Sequence, residues 1–171
     1  MPSPTKQAIV TSFLRLIAKR PPDKITVRDI VDDCGVNRNT FYYYFQDIYA
    51  VLEDLCHDVI ESLPTDGTIT DTVTTLYARV LAFTVEHPAA ARSLALSLGY
   101  EGLERYFYRD LAACLASVDL HASVHTTPLQ RHLLCHAVLG LCLEAMRGGK
   151  TPPPTPEDLN ATLTLTVAAR E

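Results

Sequence analysis

A regular cysteine framework is missing from this chain. Cys34, Cys56, Cys114, Cys135 and Cys142 form no CxxC pair and no regular framework, which favours reduced thiols in a cytosol. Long apolar runs are also missing. The strongest, Leu133–Leu143, contains His136 and is too short to cross a bilayer, which needs ~20 apolar residues. The opening MPSPTKQAIV carries one lysine and no apolar segment of secretory type, so a cytoplasmic location is expected. There are no alternating, glycine-flanked runs of strand type, no internal repeat and no HExxH. No nucleophile stands beside a base and an orienting group, so no enzyme and no cofactor is expected.

Positive charge is in short supply overall, with a net charge of −5, yet it is unevenly spread. Residues 1–46 hold seven Lys/Arg and four Asp/Glu, giving +3, whereas residues 47–171 hold eight and sixteen, giving −8. The first quarter is therefore the only cationic part, and mildly so.

What is present is helical periodicity. A length of 171 residues with 47% hydrophobic content suits one or two small globular domains with a real core. Ile9, Phe13, Leu16 and Ile17 mark one face of a first helix, stopped by the RPPD at 20–23. Thr26 and Asp29 have capping-box spacing, ahead of an apolar face of Val27, Ile30, Val31 and Cys34. Gly35 stands where a chain leaving a helix needs a left-handed residue. Asn37 is a fitting N-cap for a third helix ending near Tyr44 or Phe45, and Asp47 for a fourth. Further helices are expected from Ile69 to Glu86, Ala89 to Leu98, Glu101 to Val118, Pro128 to Met146 and Glu157 to Ala169. The class is all-α.

The stretch CGVNRNTFYYYF, Cys34–Phe45, is the most telling. At 100° per residue, Phe41 and Phe45 share one face with Tyr44 at its edge. Asn39, Thr40, Tyr42 and Tyr43 look the other way, and Arg38 sits in the first turn. Helix, GVN turn and short polar helix is the layout of a helix-turn-helix, whose second helix enters the major groove. Hydroxyls, amides and a guanidinium there suit phosphate and base edges. The same tyrosine-rich surface on a plain helical hairpin would serve protein contact.

Ile25–Leu55, ITVRDIVDDCGVNRNTFYYYFQDIYAVLEDL, closely resembles the N-terminal DNA-binding segment of the TetR family of regulators. The turn, threonine, tyrosine and terminal phenylalanine all fall in register. The resemblance implies that Arg28, Arg38, Asn39, Thr40, Tyr42, Tyr43 and Tyr44 face double-stranded DNA. It also implies that residues 1–47 form a three-helix DNA-binding domain, and residues 48–171 a helical effector-binding and dimerisation domain. The family commonly has a lysine at the start of the fourth helix; Ile48 and Tyr49 stand here, which removes one phosphate contact. The role implied is a repressor, a homodimer on a palindromic operator modulated by an effector.

Beyond residue 60 the resemblance thins. Leu133–Met146 is too apolar all round for a surface helix of a monomer, and Leu159, Leu163 and Val167 stripe the last helix. The two would pair with their copies in a four-helix dimer interface; a central helix buried within a monomer is the other reading. AVLGLCLEAMRGGKTPPPTPEDL is also similar to a short C-terminal type in regulators like the dihydroxyacetone-kinase activator, in which the effector can be a protein. Tyr77, Phe83, Tyr106, Phe107 and Tyr108 are candidates to line an effector pocket, although aromatics at helical spacing are more often plain core. With the body at −8, a neutral or cationic, partly apolar ligand is expected. His132 and His136, four apart, with His121 and His125 upstream, offer a metal-dependent alternative. HExxH is absent, so no metal is assigned.

Overall fold

A computed structural model describes residues 3–120, 125–149 and 151–168, with side chains through residue 164. His121 and the side chain of Val167 lie outside that set. Among the described residues the regular structure is helical: α1 Pro4–Ile17, α2 Val27–Cys34, α3 Arg38–Tyr44, α4 Ile48–Glu61, α5 Ile69–Glu86, α6 Pro88–Leu120, α7 Pro128–Arg147 and α8 Pro156–Ala168. None of these helices is long and apolar enough to cross a membrane.

Local chemistry explains where the helices start. The Ser3 hydroxyl accepts the Lys6 amide at 3.1 Å, and Pro4 fills a first-turn position that needs no N–H. Thr26 and Asp29 form the expected capping box, as do Thr68 with Asp71 and Thr127 with Gln130. Asp47 Oδ1 accepts from the Tyr49 and Ala50 amides at 2.8 and 2.9 Å. Gly35 ends α2 at φ 70°, a left-handed conformation that a side chain would resist.

Hydrogen bonds from the Thr26 hydroxyl, Arg20 and the Thr26 amide take the Asp29 carboxyl from its ordinary 3.8 down to about 2. A depressed folded-state value stabilises above the ordinary one and is lost as pH falls through the folded one. The cap of α2 should therefore loosen between pH 4 and 2. Asp29→Asn should blunt that part of an acid titration followed by circular dichroism.

Packing follows the predicted faces. Ile9, Phe13, Leu16 and Ile17 of α1 are buried together with Ile30 and Val31 of α2 and with Phe41 and Phe45. Ser12 and Arg15 reach across to the Asp33 carboxylate at 2.6 and 2.7 Å and tie α1 to α2. Helix α4 continues this core through Val51, Leu52, Cys56 and Ile60 into the body, where α6 and α7 make the most extensive contact.

The two helices expected at 89–98 and 101–118 run on from one another in α6, meeting at Gly99 with φ 59° and ψ −163°. That backbone region is essentially open to glycine alone. The α6–α7 connection is held by Asp119, which accepts from the Thr126 amide at 2.7 Å and from Arg131 at 2.9 Å.

Helix α7 is two-sided. Cys135, Val138, Leu139, Cys142, Leu143 and Met146 point inward, whereas Leu129 and Leu133 are 64% and 59% exposed. Leu159 and Leu163 of α8 are half-buried, and α8 rests on α5.

Candidate nucleic-acid interface

Helix α3 is short and polar, so its position depends on two rings. Phe41 and Phe45 are buried with centroids 5.9 Å apart, one turn from each other. Their burial turns the rest of the helix outward. Arg38 and Asn39 are exposed, Thr40 is half-buried, and Tyr42 and Tyr43 are 46% and 81% exposed. The Arg38 guanidinium lies 5.6 Å from the Tyr42 ring centroid and donates to its hydroxyl at 3.3 Å. The two side chains thus steady each other at the head of the helix. Tyr44 is placed differently from its neighbours. It is half-buried, and its hydroxyl accepts from Ser3 Oγ at 2.9 Å, so it braces the N-terminus of α1 as well as edging the polar face.

Electrostatically the head is muted. Lys6 pairs with Asp54 at 2.6 Å, Arg15 with Asp33 at 2.7 Å and Arg20 with Asp29 at 2.9 Å. Arg28, well exposed on α2, lies 3.4 Å from Asp32. Among the described residues Arg38, the one cation of α3, is set against no carboxylate. At the start of α4, where the sequence carries Ile48 and Tyr49 and no lysine, Ile48 is buried and Tyr49 is 43% exposed. The phenol there is a neutral donor in place of a cation.

In the body, α4, α5, α6 and α7 line a partly open cavity of about 110 Å³. Phe83 and Phe107 line it as expected from the sequence. Tyr77 and Tyr106 do not. Tyr77 is fully buried, one position round the helix from the lining residue Leu76, and its hydroxyl donates to the Pro154 carbonyl at 3.0 Å. Tyr106 faces a separate polar cleft of about 490 Å³, which it shares with Tyr44, Phe45 and Glu53. Sequence reasoning missed Cys56, Leu139, Cys142 and Met146, which complete the cavity wall from α4 and α7. The available signal was that Leu133–Met146 is apolar on every side, with one side more than a dimer contact needs.

His132 and His136 are engaged through Nδ1 by tyrosines of α6. Tyr108 contacts His132 at 2.5 Å and Tyr100 contacts His136. Among the described residues no third His, Cys, Asp or Glu joins them in a metal-binding group.

A helix, a left-handed glycine turn and an outward polar helix held by buried phenylalanines define a helix-turn-helix protein. The model of the family described as bacterial regulatory proteins, tetR family, matches residues 9–55. Over 63 residues, 37% of this chain, the sequence is 29% identical to the uncharacterized HTH-type transcriptional regulator YxbF of Bacillus subtilis (strain 168). That match spans 17% of the relative's length. The whole fold is similar to the dihydroxyacetone kinase operon activator DhaS, with TM-score 0.64, 18% identity, and 98% and 96% of the two chains covered. It is also similar to a tetR-family transcriptional regulator from Streptomyces coelicolor, with TM-score 0.59, 20% identity, and 97% and 85% covered. Over residues 9–55 the chain thus resembles the bacterial regulatory proteins of the tetR family, and its fold as a whole is similar to that of solved tetR-family regulators.

Proposed function

We propose that this chain is a homodimeric repressor that binds a palindromic operator in double-stranded DNA and is modulated by a small effector. Residues 1–47 read the DNA and residues 48–171 pair the protomers and sense the effector. The observation that carries the reading is the outward face of α3, where Arg38, Asn39, Thr40, Tyr42 and Tyr43 are supported from behind by Phe41 and Phe45. Arg38 and Asn39, in the first turn, are the residues a groove-bound helix brings nearest to base edges. Arg28 reaches toward phosphate from α2.

The exposed Leu129 and Leu133 on α7, together with α8, supply the pairing surface. A dimer covering a promoter excludes polymerase from it, hence repression, and the protein works in the cytoplasm with the chromosome. The small, apolar-walled body cavity, about 110 Å³, favours a small-molecule effector over a partner protein, which would need a longer groove. Effector and operator would favour different separations of the two α3 helices, which must sit about 34–36 Å apart to enter successive major grooves.

The test is operator binding after selection of bound fragments from random DNA, read by fluorescence anisotropy. Arg38→Ala should weaken binding, and if Arg38 reads a guanine it should relax specificity by about 1–3 kcal/mol at one base pair. Tyr42→Phe should weaken binding with the melting temperature unchanged. Because most cations of the head face carboxylates, the slope of log affinity against log salt should be shallow. A steep slope, or an Arg38→Ala protein that binds like wild type, would show that another surface meets the DNA.

A further inference from the structure

We infer that the body cavity takes a compact, uncharged, hydrocarbon-like ligand seated across the break in α6, and that it rejects carboxylates. This deepens the effector reading above and rests on it.

Size comes first. Apolar cavities of about 150 Å³ stay dry and hold a benzene ring. This one, at about 110 Å³, is of that order and suits a single ring or a short chain.

The wall chemistry comes next. Leu52, Val59, Leu76, Val80 and Phe83 form one side of it, from α4 and α5. Three sulfurs, those of Cys56, Cys142 and Met146, form another part; they are soft, polarisable groups that pack well against rings. Burial pushes both thiols up to about 12, so neither presents a charge at neutral pH.

Arg79 is the one charged side chain on the wall, and it is already engaged. It donates to Ser62 Oγ at 2.5 Å and to the Ser62 carbonyl at 2.9 Å. A carboxylate in the cavity would have to draw Arg79 away from both bonds or remain buried without a partner.

The position of the cavity links occupancy to the head. Leu94 and Leu98 precede the Gly99 break and Leu103 and Phe107 follow it, yet all four face the same space. A ligand that fills the space therefore presses on both halves of α6 at the point where they join. Phe107 is adjacent in sequence to Tyr106, which shares the polar cleft with Tyr44 and Phe45 at the end of α3.

The experiment uses the full chain, with toluene as probe and benzoate as its anionic counterpart. Toluene should raise the melting temperature in a saturable way, and benzoate should not. Toluene should also change operator affinity by about 5–150-fold. Filling the cavity by Leu98→Trp or Met146→Phe should abolish the toluene shift, and having two variants guards against one that folds poorly. A benzoate shift equal to or larger than that of toluene, no toluene shift, or a toluene shift that survives in both filled variants would overturn the ligand class. Saturable toluene binding with operator affinity unchanged would leave the ligand class standing and sink the effector reading instead.

Discussion

Replacing Phe41 with alanine should cost the fold about 3–5 kcal/mol and remove operator binding altogether. The ring is fully buried and packs 5.9 Å from Phe45, and these two residues seat an α3 of only seven residues. A helix so short has little stability of its own, because most helical stability comes from tertiary packing. Truncating its main anchor leaves a cavity that the small head cannot close, so α3 loses its orientation before the body unfolds. Denaturant titration should show a lowered midpoint or a separate early transition, and anisotropy with operator DNA should show no binding. Tyr42→Phe, next in sequence but 46% exposed, should leave the titration unchanged while weakening DNA binding. If Phe41→Ala keeps both the wild-type midpoint and wild-type affinity, the rings do not position α3.

The head was legible in the sequence because its signals are local. Thr26 with Asp29, Gly35, Asn37 and Asp47 each satisfy backbone groups within a few residues, and each acts in the structure as its residue type and spacing predict. Phe41 and Phe45 were readable for the same reason, since a helix exposed on one side has a single buried stripe. The body was harder to read because its helices are buried on several sides. Periodicity shows that Tyr77 and Phe83 point inward but cannot separate a core-facing position from a cavity-facing one. In the structure Tyr77 is core and Phe83 is wall.

Tyr44 illustrates a related limit. On a helical wheel it edges the polar face, and only its long-range bond with Ser3 shows that it also serves the first helix. The break at Gly99 was visible as a gap between two helical segments. That the helices would continue through it, with Gly99 rather than Gly102 taking the positive φ, depends on how α6 packs across α4, α5 and α7.

Helix α7 provides the sharpest test of how the body is divided between core and interface. An apolar helix on the surface of a monomer invites a charge anywhere along it as a probe of dimerisation, but the structure separates two outcomes by side. Leu133 is 59% exposed, so Leu133→Glu adds a solvated carboxylate to the free protomer at little cost. In a dimer paired through α7 and α8 the same carboxylate would be buried opposite its own copy near the two-fold axis. Isologous pairing doubles that penalty, and desolvating an unpaired charge costs several kcal/mol. Sedimentation should therefore show a monomer with unchanged circular dichroism. Operator affinity should fall steeply, because each half-site is then bound independently. Leu139 lies on the inner side, 1% exposed and on the cavity wall, so Leu139→Glu buries its charge within the protomer and should unfold or aggregate the protein at any concentration. A Leu133→Glu protein that still sediments as a dimer at the wild-type concentration would place the pairing surface elsewhere. A well-folded Leu139→Glu protein would mean that the inner face of α7 is wet rather than packed.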